Sequence, residues 1–247
     1  MEAWRTKPED AEAVSREYAI VLLVSANAEW AAVKEVLRPE RIEPTLYGEF
    51  FTHVVGTEDV LLFHGGWGKI AAAASTEYAI TRWHPEVLIN LGTCGGIEGR
   101  VQRGDKLLVT SAITYDVQEA MGDSSEAIRW YTTDIDLTWL GDSLPIEVRR
   151  VPLVSGDRDL VPSQVSELVD RFDAVAGDWE SGAIAWVAHR HRVPLLIIRA
   201  VSDLVNDEAG EAIGAIAVFQ AAAKTLMQAL LGDLDILVPY VLARRGV

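Results

Sequence analysis

The chain has 247 residues, 49% of them hydrophobic, and a mean hydropathy of +0.13, so it can build a large core and is not a disordered chain. Its formal charge of −15 argues against nucleic acid or an anionic lipid surface as partner, because phosphate binding needs a basic surface, and it suits a neutral or cationic ligand better. One cysteine, Cys94, rules out an intrachain disulfide, and five scattered histidines offer no metal-ligand spacing.

Residues 1–17 are polar and charged and read as an extension or a short surface helix. They lack the apolar core of a secretory leader, and no apolar run reaches the length of a membrane span. A cytoplasmic location is therefore expected.

From residue 19 the pattern alternates between buried strands and helices. Residues 19–24 form a first strand, ending in Ser25-Ala26-Asn27-Ala28-Glu29, and a helix is expected from Trp30 to Leu37. Glu29 thus sits between a strand end and a helix start, where the helix dipole favours an acid. Residues 45–47, 50–55 and 60–63 read as short strands with a turn at 56–59. Gly65-Gly66-Trp67-Gly68-Lys69 then opens an alanine-rich helix over 70–82. Glycines there allow close backbone approach and leave free amides at the helix start.

Residues 85–91 form another buried strand, running into Gly92-Thr93-Cys94-Gly95-Gly96, which reads as a second Gly-rich turn, with a hydroxyl. Strands follow at 106–110 and 112–115, then a polar loop-and-helix excursion over 116–148, which reads as a pocket wall or subunit contact. A strand at 151–157 ends in Ser155-Gly156-Asp157, and a helix covers 165–172. Next come Asp178-Trp179-Glu180, a helical pattern through Ile184 and Trp186, an apolar strand over 193–198 and the polar pair Ser202-Asp203. A long apolar helix over 212–231, a break at Gly232-Asp233 and an apolar tail to Leu242 close the chain. No repeat or linker is visible. One domain is expected over 19–247, preceded by an N-terminal extension over 1–18.

Each candidate has a bland alternative. Asp178 and Glu180 could cap the following helix, and Asp203 could end a strand in a turn. Cys94 reads as a buried filler, since no histidine has a triad spacing with it. His189 and His191 read as a solvated helix end, and Trp179 and Trp186 as packing residues.

Taken in order, Ser25–Glu29, Gly66–Lys69, Ile89–Gly96, Ser155–Asp157, Asp178–Glu180 and Ser202–Asp203 resemble the purine nucleoside phosphorylase/nucleosidase superfamily, and most of all its methylthioadenosine/S-adenosylhomocysteine nucleosidases. The resemblance spans roughly residues 19–230. It implies an α/β fold: a single-domain three-layer sandwich with a central mixed, partly barrel-like sheet. It also implies a homodimer or larger homo-oligomer in which a partner loop closes the site.

The resemblance further implies roles. Asp203 matches the general acid that protonates N7 of the leaving purine, and Glu29 the carboxylate that deprotonates the attacking water. Glu180 matches the acid that binds the ribose hydroxyls, Thr93 a hydroxyl beside the water, and Trp179 a residue lying against the sugar. Leu160 falls where the purine edge is read. Asp178 and Ser202, flanking the two acids, join the substrate-binding set. Asp159 stands where relatives place an aromatic that stacks on the base. A carboxylate cannot stack, so it either points away or bonds an exocyclic amine. No cofactor and no metal is implied.

These roles fit the chemistry. N-glycosidic cleavage passes through a ribosyl cation with a poor leaving group. Protonation of the base makes it leave, and anionic carboxylates stabilise the cation. Asp203 is therefore expected to hold its proton near neutrality while Glu29 and Glu180 stay ionised. Phosphorylases of the superfamily place an arginine where this chain has Asn90, which cannot grip phosphate with a bidentate fork. Hydrolysis is favoured on that ground, with a phosphorylase or a non-catalytic nucleoside-binding relative as alternatives. Methylthioadenosine is the leading substrate. S-adenosylhomocysteine, 5′-deoxyadenosine and futalosine stay open.

Overall fold

The computed structural model describes residues 17–246. Most of the N-terminal extension, residues 1–16, lies outside the described residues. Tyr18 already belongs to the fold: it is buried, its amide donates to the Trp83 carbonyl (3.3 Å) and its hydroxyl lies 3.1 Å from that of Thr52.

The chain runs β1 (Ile20–Val24), α1 (Asn27–Leu37), β2 (Glu43–Pro44), β3 (Glu49–Val55), β4 (Glu58–His64), α2 (Lys69–Trp83), β5 (Val87–Ile97) and β6 (Lys106–Thr114). It continues through α3 (Ser124–Trp130), β7 (Thr132–Asp134), β8 (Arg149–Ser155), α4 (Pro162–Phe172), β9 (Ala176–Asp178), α5 (Ser181–His191), β10 (Leu195–Val205), α6 (Ile216–Gly232) and α7 (Leu234–Arg245). The strands join in one mixed sheet in the order β10-β6-β8-β9-β5-β1-β4-β3-β2, with β7 on β6. Pairing of β10 with β5 closes β5, β9, β8, β6 and β10 into a five-stranded barrel, and the remaining strands extend from β5 as an open wing.

The apolar pattern explains the layering. Ile20, Leu22 and Val24 of β1 face α1, α6 and α7, packing with Trp30, Val33, Met227 and Leu237. Val21 and Leu23, pointing the other way, face α2 and α5 with Ala72, Ala79, Ile184 and Ala188. A strand covered on both faces must be apolar throughout, and β1 is. A smaller cluster holds α4 against the barrel through Val165, Leu168, Val154 and Ile97. Among the described residues no single helix is long and apolar enough to cross a membrane.

Several boundaries differ from expectation. Residues 45–47 are not a strand: the Thr45 hydroxyl accepts from the amides of Tyr47 (3.2 Å) and Gly48 (3.0 Å), forming a side-chain turn that ends β2 at Pro44. The two strands expected at 106–110 and 112–115 are one, β6, whose pairing with β8 shifts register between Val109 and Ser111. The excursion over 116–148 contributes α3 as well as β7, which pairs with β6. The last long helix starts only at Ile216, and the break at Gly232-Asp233 is a 48° bend between α6 and α7.

Strands β1, β4, β5 and β10 run parallel, so the ends of β1, β4 and β10 open on one edge of the sheet, along the second half of β5. Ligands bind at that edge in open α/β sheets.

Candidate active site

Glu29 enters from α1. It lies in that helix's first turn, beside the end of β1, and is 4% exposed. Its Oε1 accepts from both the amide (2.6 Å) and the hydroxyl (2.7 Å) of Thr93, in the middle of β5, and its Oε2 from the Ala26 amide (3.3 Å). Gly92 lets side chains approach the backbone of β5 closely. A Cβ there would lie 2.7 Å from Arg199 Nη1 and 3.1 Å from each Glu29 carboxylate oxygen. A carboxylate, a guanidinium nitrogen and the Thr93 hydroxyl are thus gathered over this strand.

Arg199 was not singled out from the sequence. It is an arginine in the apolar strand β10 and is 2% exposed. Its Nε donates to Asp178 Oδ2 (2.6 Å) and its Nη2 to Asn90 Oδ1 (2.6 Å), while Asn90 Nδ2 donates to the Leu23 carbonyl (2.9 Å). A buried charge needs such a partner set, because an unpaired one costs several kcal/mol. Asp178 also accepts from the Ser181 amide (3.1 Å) and hydroxyl (2.5 Å). Its carboxylate is therefore committed to Arg199 and to capping α5, so the capping alternative holds for Asp178.

It does not hold for Glu180, which precedes α5 without capping it. Glu180 Oε1 instead accepts from the Gly68 amide (2.9 Å) across the site. Gly68 sits at φ +84°, a region an L side chain rarely enters, so a glycine is required to turn that amide toward the carboxylate. The residues preceding each partner, Trp67 and Trp179, stand with ring centroids 5.3 Å apart and form an aromatic wall beside Glu180.

Asp203 completes the set. Its pairing with β5 is offset by a bulge at Ser202, between Val201 opposite Cys94 and Asp203 opposite Gly95, and such a bulge re-aims the side chain. The Ser202 hydroxyl lies 2.5 Å from Asp203 Oδ1 and 3.1 Å from the Cys94 carbonyl. A Cβ on Gly95 would meet Leu160 Cδ1 at 3.4 Å and Asp203 Oδ2 at 3.8 Å, so these two border one cleft. Asp159 is exposed and reaches Asp203 through its charge.

The expected split sets Asp203 apart from Glu29 and Glu180, whereas burial acts on all three in the same direction. Burial pushes all three acids up. Glu29 is raised by desolvation against the pull of Arg199 and Thr93. Glu180 is pushed to about 8 by desolvation and the neighbouring Asp178. Asp203 is raised by desolvation, opposed by the Ser202 bond and aided by Glu211 and Asp159. The cause is the depth of the cleft, which penalises any charge placed in it.

Other candidates fall where the sequence suggested. Cys94 is buried and its thiol is pushed well up by desolvation, so it is no nucleophile. His189 and His191 are exposed at the end of α5. Arg100 pairs with Asp173 (2.5 Å) and Arg103 with Glu211, away from Asn90. Among the described residues no group of three or more His, Cys, Asp or Glu could hold a metal ion. Two cavities, of about 380 and 330 Å³, lie beside His189 and Arg192 and beside Tyr115 and Arg158, and neither is lined by the three acids.

Known proteins resemble this chain over most of its length. A family model described as the phosphorylase superfamily matches residues 18–234. A 5′-methylthioadenosine/S-adenosylhomocysteine nucleosidase from Staphylococcus carnosus is 32% identical over 173 residues, covering 65% of this chain and 75% of that protein. One from Maridesulfovibrio salexigens is 29% identical over 199 residues, covering 74% and 86%. The solved structure of the Arabidopsis thaliana 5′-methylthioadenosine nucleosidase superposes with a TM-score of 0.73 at 19% identity, over 92% of this chain and 97% of that one. The chain belongs to the phosphorylase superfamily and, within it, to the methylthioadenosine/S-adenosylhomocysteine nucleosidase family.

Proposed function

We propose that Asp203, Glu29 and Glu180 divide the work of hydrolysing an N-glycosidic bond. The protein is an N-glycosidic hydrolase of adenine nucleosides, as its named relatives are. Asp203, whose carboxyl is pushed up by burial, gives its proton to N7 of the base as the bond to C1′ breaks, and the bonding electrons leave with the neutral base. Ser202 orients that carboxyl, and Leu160 packs by the base with Asp159 at the rim. Glu180 holds the ribose hydroxyls, with Trp179 against the sugar. Glu29, made more basic by burial, takes the proton of the attacking water, which Thr93 and Arg199 Nη1 help to place. Asp178 contributes by holding Arg199 rather than by touching substrate.

One observation supports this reading: Glu29, the Thr93 hydroxyl and Arg199 Nη1 gather beside Gly92. Glu29 and Arg199 Nη1 there offer a water one acceptor and one donor. Asn90 has both ends of its amide engaged and Arg100 and Arg103 are paired elsewhere, which favours water over phosphate as nucleophile. Methylthioadenosine is the favoured substrate. A cytosolic homodimer belongs to the same proposal, supported by Trp67, Ile70, Met121 and Trp130, large side chains left exposed on the single chain.

The test is base release from methylthioadenosine, S-adenosylhomocysteine, 5′-deoxyadenosine, adenosine, inosine and futalosine, with and without phosphate. Phosphate-independent release of adenine is the expected result. Release only with phosphate would overturn the hydrolytic reading. Binding without release would leave a nucleoside-binding relative.

A further inference from the structure

The Glu180 carboxylate receives one hydrogen bond among the described residues, from the Gly68 amide. Where that amide sits decides how far the free carboxylate oxygen reaches toward a sugar. Gly68 has no side chain to anchor it and a backbone conformation open only to glycine. Its position is set by the next residue. The Lys69 amide donates to Asp157 Oδ1 (2.7 Å), and the Lys69 ammonium to Asp116 Oδ1 (2.5 Å). Asp116 Oδ2 in turn accepts from the Asp157 amide (3.0 Å). One carboxylate, just past the end of β6, thereby ties together the turn before α2 and the turn after β8. Lys69 and Asp116 are largely shielded, with side chains 25% and 13% exposed, so their pair is stronger than a surface salt bridge.

We propose that Asp116, acting through Lys69 and Asp157, is a positioning residue that sets the place of Glu180 against the sugar hydroxyls. The proposal rests on the reading of Glu180 as the ribose-binding acid. Asp116 touches neither substrate nor Glu180. A displacement of about 1 Å at a positioned group can cost about 100-fold in rate. The loss should therefore appear only where a sugar hydroxyl meets Glu180.

The test is a cycle over Asp116→Asn and Glu180→Gln, read with methylthioadenosine and its 2′,3′-dideoxy analogue. Asp116→Asn should lower kcat/KM on the riboside by about 100-fold. On the 2′,3′-dideoxy substrate, and in the Glu180→Gln background, it should change kcat/KM by no more than about twofold, the scatter of independent effects. Equal losses on both sugars, or a full loss added on top of Glu180→Gln, would reduce Asp116 to a general structural staple and overturn the proposal. If Asp116→Asn does not fold, Lys69→Met severs the ammonium branch of the link while keeping the bonds through Asp157, and a smaller loss confined to the riboside is required of it. If the unaltered protein releases no base from either nucleoside, the hydrolase reading fails on its own. The cycle is then run on calorimetric Kd values for adenosine and 2′,3′-dideoxyadenosine, with the same pattern expected.

Discussion

Asp203 is the residue on which the leaving group depends. Asp203→Asn keeps the shape and the Ser202 contact but has no proton to give. Its kcat should fall by about 10²–10⁴-fold, the usual share of a general acid, with KM little changed. Steady-state adenine release checks this, and an unchanged kcat would remove Asp203 from the mechanism. Glu180 makes a second prediction at this scale, about stability. Its folded pKa is about 8, against an ordinary 4.5. Between those values the folded protein holds a proton that the unfolded chain has released. Stability is therefore greatest below about pH 4.5 on this account, declines as pH rises, and levels off above about 8. Glu29 and Asp203 are raised as well and act with the same sign. Glu49 and Glu211 are depressed by Lys34 and Arg103, so their contribution is lost only as pH falls through the low carboxylate range. Thermal denaturation should show Tm falling from pH 5 to pH 8, with a shallower fall in Glu180→Gln. An identical slope in that variant would show that Glu180 does not carry the proton.

At the level of elements, β5 is the spine of the site. It pairs with β1, β9 and β10, and its residues Gly92, Thr93 and Gly95 border the space by Glu29 and the cleft by Asp203. Gly92→Ala places a methyl carbon 2.7 Å from Arg199 Nη1 and 3.1 Å from both Glu29 oxygens, so the groups proposed to hold the attacking water must shift. Activity should drop by about 100-fold, while Tm moves less than it does for an equally buried core truncation. Kinetics and calorimetry on the same preparation check it. Strand β1, the first halves of β5 and β10 and the helices α2, α4 and α5 were legible in the sequence, because burial on two faces demands unbroken apolar runs and the helices carry a 3.6-residue period. Residues 92–96, which read as a turn, are instead the second half of β5, held extended by pairing with β10. The failures have a common cause. Thr45 ends β2 with a hydroxyl that bonds its own turn, and Ser111 marks a register shift inside β6, neither of which changes composition enough to be seen. β7 exists only because β6 lies ready to pair with it, which is a tertiary effect.

Across the whole molecule, the site was legible wherever acids stood at strand ends, and hidden where a group depends on partners far along the chain. Arg199 is explained by Asp178, 21 residues away, and by Asn90, 109 residues away. The upward shifts of all three acids follow from the closure of the barrel and the helices around it, which no local pattern contains. The same long-range network sharpens the choice between water and phosphate. Asn90 is fully buried between β1 and β10, holding the Leu23 carbonyl on one side and Arg199 on the other. Asn90→Arg therefore does not create a phosphate site. It sets a second guanidinium beside Arg199 where one acid, Asp178, is already spent, and it removes the acceptor that Arg199 Nη2 needs. An uncompensated buried charge costs about 3–5 kcal/mol. In a chain of this size that lowers Tm by roughly 6–20 °C. Base release should fall with the displaced Arg199 and should not become phosphate-dependent. A stable Asn90→Arg protein that consumes phosphate would show that this one position sets the nucleophile, and that the network around Arg199 is more permissive than its geometry implies.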